Sequence, residues 1–190
     1  EVYHFAACHH SSEQRIDEGQ SFYQESLNIN LVSLINFLDA ARVKSPRSKI
    51  FYSASSRIFG EPNDDPVTEA TSVAPVCPYG IAKSAGLEYC RYFRRQYGLF
   101  VSVGILFNHE SSLRPTHYLS KRIVQGVLSI TRGESDRLVL GALKAGADWS
   151  YAPDMMEQIH GTLQLPEASD YVLASGAWHT VEDFARLAFG

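Results

Sequence analysis

The segment Lys49-Ile50-Phe51-Tyr52-Ser53-Ala54-Ser55, followed after a proline-rich stretch by Tyr79-Gly80-Ile81-Ala82-Lys83, decides the fold. The first segment places large apolar and aromatic residues before a run of small ones, which predicts a strand over residues 49–54. The second segment begins a helix over residues 79–97, which Gly98 ends. Residues 101–106 alternate valine and isoleucine with smaller residues and predict the next strand. A strand, a helix and a strand in this order predict one crossover unit of a parallel sheet.

The sequence before residue 49 continues the same alternation of strands and helices. Residues 1–7 contain the strand formers Val2, Tyr3 and Phe5, which predict a short strand, and a polar loop is expected through about Tyr23. Leucine and isoleucine then recur at helical spacing, which predicts a helix over residues 25–42. The order βαβαβ favours an α/β fold with a parallel sheet and crossover helices.

The pattern becomes less regular after Phe107. A polar loop is expected to Thr116, then a helix over residues 118–131 and a short strand over residues 137–140. A helix is expected near Pro153, a short strand over residues 171–173, and a terminal helix that Thr180 opens with a capping box.

Composition excludes several classes of function. The net charge is -4, so we expect no nucleic-acid partner. The three cysteines form no CxxC pair, and His9-His10 has no third ligand at a useful spacing, so neither a disulfide framework nor a metal site is expected. No apolar run is long enough to span a bilayer, and a cytoplasmic location is expected. The first residues resemble neither a signal peptide nor a start context, so the chain is expected to begin within a longer protein.

Tyr79 and Lys83 are the candidate catalytic pair. Their i, i+4 spacing places the phenol and the ammonium on one helical face, where the positive charge favours the tyrosinate form. Taken alone, the pair also fits an ordinary surface helix. Ser55 strengthens the catalytic interpretation, because it follows a strand at the sheet edge where α/β proteins bind their ligands.

These residues resemble those of the extended short-chain dehydrogenase/reductases. The resemblance rests on Phe5-Ala6-Ala7, on Ser55 with Phe59-Gly60, and on Pro78-Tyr79-x-x-x-Lys83. Residues 104–111, Gly-Ile-Leu-Phe-Asn-His-Glu-Ser, are similar without a gap to a segment of the GDP-mannose 4,6-dehydratases, and residues 148–154 resemble a second segment of that family.

The resemblance implies a role for each matching residue. Tyr79 would take the proton of the C4 hydroxyl of a nucleotide sugar, for which GDP-mannose is the expected substrate. Hydride would leave C4 for NADP or NAD at the same time, and water would be eliminated afterwards. Lys83 would lower the pKa of Tyr79 and hold the nicotinamide ribose, and Ser55 would bond the same sugar oxygen. The remaining residues implied to bind the cofactor are Phe5, Ala6, Ala7, Cys8, His9, His109 and Arg114. Those implied to bind the nucleotide diphosphate are Asn108, Lys121 and Arg122.

The same resemblance predicts an incomplete Rossmann-type parallel sheet with a small carboxyl-terminal substrate-binding lobe. Residues 1–110 would be the carboxyl-terminal part of a dinucleotide-binding domain, and residues 111–190 mostly the lobe, with interleaved return segments. No Gly-x-x-Gly-x-x-Gly follows any strand, so the chain alone is expected to bind NAD(P) poorly. A homodimer or tetramer is implied, with contacts through the helices at 25–42 and 79–97.

Three departures from the family pattern leave other functions open. Arg57 stands where the family carries the glutamate that removes the C5 proton, and a guanidinium cannot act as that base. Leu113 and Gly146-Ala147 replace basic residues. A nucleotide-sugar 4-epimerase or reductase would need only Ser55, Tyr79 and Lys83. A non-catalytic, truncated homologue could instead serve as a binding or oligomerising module. Arg57 could also simply form an ion pair with Glu61 or Asp64.

Overall fold

A computed structural model describes residues 1–9, 19–62 and 66–190. The described residues form two compact units. Unit 1 contains residues 1–9, 19–62, 66–107 and Met156–Leu173, and unit 2 contains Asn108–Met155 and Ala174–Gly190.

The elements are named in chain order. The strands are β1 (Val2–His4), β2 (Ile50–Ser55), β3 (Val101–Leu106), β4 (Asn108–Glu110), β5 (Gly146–Tyr151), β6 (Asp170–Leu173) and β7 (Trp178–Thr180). The helices are α1 (Gln20–Leu27), α2 (Ser33–Lys44), α3 (Pro78–Tyr97), α4 (Leu119–Thr131), α5 (Ala152–Gln164) and α6 (Val181–Phe189), with a π-helical turn at Asn28–Val32 and a 3-10 turn at Ser56–Phe59.

Unit 1 is built on a parallel four-stranded sheet in the order β1-β2-β3-β6. The two central strands are buried along almost their whole length, as expected for strands covered on both faces. Gly104 is required in β3, because a Cβ there would lie 2.4 Å from the Phe51 ring of β2. The core joins the sheet to the helices through apolar side chains that include Leu34, Leu38, Ile50, Tyr52, Leu87, Cys90, Val101, Val103 and Ile105.

Helix α3 has clear signals at both ends. Cys77 is the N-cap residue, and its Sγ accepts a hydrogen bond from the backbone N–H of Gly80 at 3.4 Å. Pro78 occupies the first turn, where its missing N–H costs no hydrogen bond. Gly98 ends the helix with φ +66°, a left-handed conformation that favours glycine. Two arginines of α3, Arg91 and Arg94, both pair with Asp170 of β6 and so tie the helix to the sheet.

Unit 2 has a three-stranded sheet in the order β4-β5-β7, in which β5 pairs parallel to β4 and antiparallel to β7. Asp148 of β5 is buried, and its two carboxylate oxygens accept the backbone N–H groups of Ser175 and Gly176 at 2.9 and 2.7 Å. The capping box at Thr180 and Asp183 opens α6.

The predicted parallel α/β fold is confirmed, and the strands at 49–54, 101–106 and 171–173 occur within one residue of their expected bounds. The expected strand at 137–140 is wrong, because those residues have no strand partner. The expected loops are partly wrong, since α1 begins at Gln20 and β4 forms within residues 108–116. Strands β5 and β7 were not expected. In the part of the chain that the structure describes, no helix has the length and apolar character needed to cross a bilayer.

Candidate active site

The first turn of α3 positions Tyr79 beside the end of β2. Gly80 lies so close to the 3-10 turn after β2 that a Cβ there would be 2.5 Å from the carbonyl oxygen of Arg57. Glycine at this position lets the start of α3 approach the carboxyl end of β2, where Ser55 is the last strand residue. Tyr79 and Ser55 are both partly exposed at this edge of the sheet.

Lys83 lies one turn further along α3 and is almost fully buried, with 1% of its surface exposed. Its Nζ donates a hydrogen bond to the carbonyl oxygen of Ser53 at 2.7 Å. Nζ lies 5.7 Å from the centroid of the Tyr79 ring and 4.9 Å from that of Tyr52. Burial lowers the pKa of Lys83 to about 8, since a charged ammonium loses its hydration there. A cation held near the Tyr79 ring stabilises the phenolate form.

Ser55 presents its hydroxyl at the strand end. Its Oγ accepts a hydrogen bond from the backbone N–H of Arg57 at 3.3 Å and so caps the 3-10 turn. This contact uses a lone pair, which leaves the hydroxyl hydrogen available for donation. Arg57 is exposed, and no ion pair joins it to Glu61 within the described ranges; Asp64, the other expected partner, lies outside them.

The segment that follows β1 lies against the same site. The ring of His9 meets the Tyr79 ring edge-on, with a centroid distance of 4.6 Å. Phe5, earlier in the segment, is 40% exposed and contacts Phe51 at a centroid distance of 5.7 Å. Unit 1 therefore places His9 against the catalytic candidate Tyr79. The other residues of this segment predicted to bind the cofactor, Phe5, Ala6, Ala7 and Cys8, directly precede His9 in the chain.

Sequence reasoning missed Asn30, which is fully buried and bonds the backbone of Cys8. A signal was present, because Asn30, Leu34 and Leu38 follow one another at intervals of four residues. A polar residue in the apolar stripe of a helix is expected to have a specific hydrogen-bond partner.

Unit 2 contains the other predicted site residues. Arg114 pairs with Glu110 at 3.0 Å, and its guanidinium stacks on the Tyr118 ring at 3.9 Å from the centroid. Ser120 donates to the same carboxylate at 2.6 Å. These contacts use much of the hydrogen-bonding capacity of the Arg114 guanidinium to hold the loop between β4 and α4 in place.

The predicted diphosphate-binding residues also lie in unit 2. Lys121 donates to the carbonyl of Ser112 at 2.8 Å, and Arg122 lies 3.5 Å from the carbonyl oxygen of Val139. Asn108 is exposed on β4, and His109 is half-buried next to it. Within residues 1–9, 19–62 and 66–190, no group of three or more histidine, cysteine or acidic side chains is placed to hold a metal ion.

A parallel α/β sheet that presents a Tyr-x-x-x-Lys pair and a serine at its carboxyl edge defines the class, the short-chain dehydrogenases/reductases. Within that class, the family model of GDP-mannose 4,6 dehydratase matches residues 1–190. The chain therefore belongs to the GDP-mannose 4,6 dehydratase family, and the predicted family membership is confirmed.

Two curated relatives show how much of such a protein the chain represents. It is 40% identical over 193 residues to GDP-mannose 4,6-dehydratase sdnI of Sordaria araneosa, which covers 100% of this chain and 34% of the relative. It is 34% identical over 191 residues to GDP-mannose 4,6 dehydratase 2 of Arabidopsis thaliana, again over 100% of this chain and 50% of the relative. The chain thus spans between a third and a half of the length of these relatives.

Solved structures confirm the fold. RMD from Pseudomonas aeruginosa, solved with NADPH, matches with a TM-score of 0.86 and 22% identity over 98% of this chain and 62% of its own. UDP-glucuronic acid 4-epimerase from Bacillus cereus, solved with UDP-glucuronic acid and NAD, matches with a TM-score of 0.82 and 18% identity over 98% and 58%. At these identities the likeness shows the fold alone.

Proposed function

We propose that the protein containing this chain is a nucleotide-sugar dehydratase that converts GDP-mannose by removing hydride at C4 and then eliminating water. The observation that carries this proposal is buried Lys83, which lies 5.7 Å from the Tyr79 ring and bonds the carbonyl of Ser53 in the strand that ends at Ser55. The match to the family over all 190 residues supports the choice of substrate.

Three side chains would perform the first half of the reaction. Tyr79 as phenolate takes the proton of the C4 hydroxyl while hydride leaves the same carbon. Ser55 donates a hydrogen bond to the C4 oxygen, using the hydroxyl hydrogen that its contact with Arg57 leaves available. Lys83 keeps the phenolate form accessible through its positive charge. After water is lost across C5 and C6, hydride would return to C6 and a proton would be added at C5, so C4 would remain a ketone and Tyr79 would release the proton that it took.

The residues present fit a nicotinamide cofactor, either NADP or NAD. Lys83 uses one of its three N–H donors on Ser53 and makes no other hydrogen bond in the described ranges, which leaves donors for ribose hydroxyls. Ala6 and Ala7 are small and exposed after β1, so a flat ring can approach the backbone there. When bound, the cofactor supplies the hydride acceptor. The structures of the two related folds with NADPH and with NAD support this proposal.

Further parts of the proposal concern the rest of the chain. Residues 1–110 would belong to the dinucleotide-binding domain, with His109 and Arg114 adding cofactor contacts. Residues 111–190 would form mostly the substrate lobe. Asn108, Lys121 and Arg122 would face the diphosphate. The electrostatic need of a diphosphate for cations supports the last assignment. We also propose a cytoplasmic protein that forms a homodimer or tetramer through α1, α2 and α3.

A nucleotide-sugar 4-epimerase or reductase is the second candidate. Arg57 favours it, because this exposed guanidinium stands where the family carries the base for dehydration. Oxidation at C4 followed by return of hydride needs only Ser55, Tyr79 and Lys83, all of which are present.

Replacement of Tyr79 tests the proposal. We expect the protein to convert GDP-mannose, with catalytic NADP or NAD, to a product lighter by one water. The Tyr79→Phe variant should lose at least about 10²-fold in turnover, since general acid–base catalysis contributes about 10²–10⁴-fold. Tyr89→Phe is the matched control, because Tyr89 is 39% exposed on the same helix. Equal turnover by Tyr79→Phe and Tyr89→Phe would reject the assigned role.

A further inference from the structure

Removal of water from GDP-mannose needs a second proton acceptor besides Tyr79. Once C4 is a ketone, the hydrogen on C5 is acidic, and a base must take it before the hydroxyl group on C6 can leave. This base must lie beside Tyr79, because C4 and C5 are bonded to each other. Arg57, in the 3-10 turn after β2, cannot act as the base, since a guanidinium stays protonated.

His9 lies in a suitable place for this base. Its ring meets the Tyr79 ring edge-on, with the centroids 4.6 Å apart and an angle of 66° between the ring planes. The side chain is exposed, so a bound sugar can reach it. Imidazole changes its charge near neutral pH, and its neutral form can accept a proton there. Position and chemistry therefore both suit removal of the C5 proton.

The other titratable groups near Tyr79 are less suited to this task. Lys83 is buried, and its charge serves to stabilise the Tyr79 phenolate. Burial raises the pKa of the Cys8 thiol and that of the Tyr52 phenol, so both hold their protons at pH 7. Cys77 uses its sulfur to cap α3. These contacts leave His9 as the best-placed base among the described side chains around Tyr79.

We propose that His9 is a catalytic residue, the base that removes the C5 proton from the ketone formed at Tyr79. The electron pair of the C5–H bond forms a double bond between C5 and C6. The imidazolium then donates the proton that it took to the C6 hydroxyl, which leaves as water. The hydride taken from C4 by the nicotinamide returns to C6, and His9 passes a proton from solvent to C5, while Tyr79 releases its proton to solvent. The net change is the loss of one water. This inference rests on the function proposed above.

Substitution of His9 by phenylalanine separates the base from the ring contact. His9→Phe keeps an aromatic ring against Tyr79 but cannot accept a proton, and His9→Gln is a second variant if the first fails to fold. In a single turnover with GDP-mannose, we expect the reduced cofactor to form at nearly the rate of the unsubstituted protein, as its absorbance shows. Loss of water, measured by mass spectrometry, should slow at least about 10²-fold, since general acid–base catalysis contributes about 10²–10⁴-fold.

Two control variants accompany His9→Phe. His160→Phe makes the same substitution at an exposed histidine of unit 1 that contacts Tyr3 instead of Tyr79, and it should keep both rates. Glu25→Gln removes the exposed carboxylate of α1 that helps to raise the pKa of Cys8, and it should also keep both rates. Loss of elimination in Glu25→Gln but not in His9→Phe would overturn the proposal and assign the base to Glu25.

Hydrogen exchange in the product tests the base without turnover. The 4-keto-6-deoxy sugar nucleotide retains an acidic hydrogen on C5 beside its ketone, which a base exchanges for deuterium in heavy water. We expect the protein to catalyse this exchange, followed by NMR, and His9→Phe to slow it at least about 10²-fold. His160→Phe should leave it unchanged. A role of His9 in packing alone would leave the exchange intact in His9→Phe, which would overturn the proposal.

The outcomes distinguish this proposal from the proposed function. If the unsubstituted protein removes no water from GDP-mannose, the proposed function fails and the role of His9 fails with it. If the unsubstituted protein removes water and His9→Phe does so at the same rate, only the role of His9 fails. Equal losses of C4 oxidation and of water elimination in His9→Phe would also overturn that role, because a C5 base acts only after C4 is oxidised.

Discussion

Replacing Lys83 by methionine should stabilise the protein while abolishing its activity. Burial lowers the pKa of Lys83 from its ordinary 10.5 to about 8. At about 1.4 kcal/mol per pH unit, the protonated ammonium therefore costs about 3 kcal/mol of folding free energy at pH 7. Methionine fills a similar volume without the charge, but it leaves the carbonyl of Ser53 without the bond at 2.7 Å, at a cost of about 1 kcal/mol. The net expected gain is about 2 kcal/mol.

The stabilisation by Lys83→Met should decrease as the pH rises above about 8. Because the pKa of Lys83 is depressed in the folded state, the unfolded chain binds more protons than the folded one between about pH 8 and pH 10.5. The stability of the unsubstituted protein therefore rises with pH in this window as Lys83 becomes neutral. The advantage of Lys83→Met is complete below pH 8 and should shrink by about 2 kcal/mol between pH 7 and pH 9.5.

Urea unfolding at pH 7 and pH 9.5 measures both quantities. Lys44→Met, at an exposed position of the same unit, is the control and should change the free energy of unfolding by less than about 0.5 kcal/mol at either pH. Other groups titrate in this range too, but they are common to the variants and cancel in the difference. A Lys83→Met protein that is less stable at pH 7, or whose difference is the same at both pH values, would refute the reasoning.

Two further substitutions test the packing around the site. Gly86→Ala places a Cβ 2.2 Å from the fully buried hydroxyl of Tyr52, so it should lower the free energy of unfolding by about 1–3 kcal/mol. Adding Tyr52→Phe removes that oxygen but keeps the ring carbon Cζ at 2.7 Å, so it should restore part of the loss in urea unfolding; no recovery would show that the hydroxyl is not the group that clashes. Asp170→Asn removes the carboxylate that two arginines of α3 share and should cost about 2–3 kcal/mol in the same assay. A cost below about 0.5 kcal/mol would mean that these ion pairs are effectively solvated.

The sequence predicts the parallel core well because the physical signals there are strong. β2 and β3 are runs of buried residues in a sheet covered by helices, and no alternative element suits them. Tyr79 and Lys83 could be placed on one face because a helix fixes the relative direction of residues four apart.

The elements that were missed depend on partners that are distant in sequence. β4 is the short polar run Asn108–Glu110, and it is a strand only because it pairs with β5. Residues 137–140 are the opposite case, because their sequence favours a strand but they pair with no other strand. Instead, Leu138 packs over Gly126, and the carbonyl of Val139 faces the Arg122 side chain. Strand propensity alone cannot distinguish these cases.

The sequence predicted which side chains form the candidate site, but it did not predict the contacts that hold them in place. The burial of Lys83 and the bond to Ser53 arise from packing that no local pattern encodes. The link from Asn30 to Cys8 joins residues 22 apart through a π-turn, so it follows from tertiary structure only.

The most direct test of the central claim is the reaction of GDP-mannose carrying deuterium at C4, followed by mass spectrometry of the product. Dehydration involves no net oxidation, so the hydride removed at C4 must return to the sugar. The proposal predicts a product lighter by one ordinary water that retains the deuterium, and no such product with Tyr79→Phe. A product of unchanged mass with inverted configuration at C4 would contradict dehydration and establish the epimerase instead. Recovery of unaltered GDP-mannose would contradict the assigned chemistry of the site.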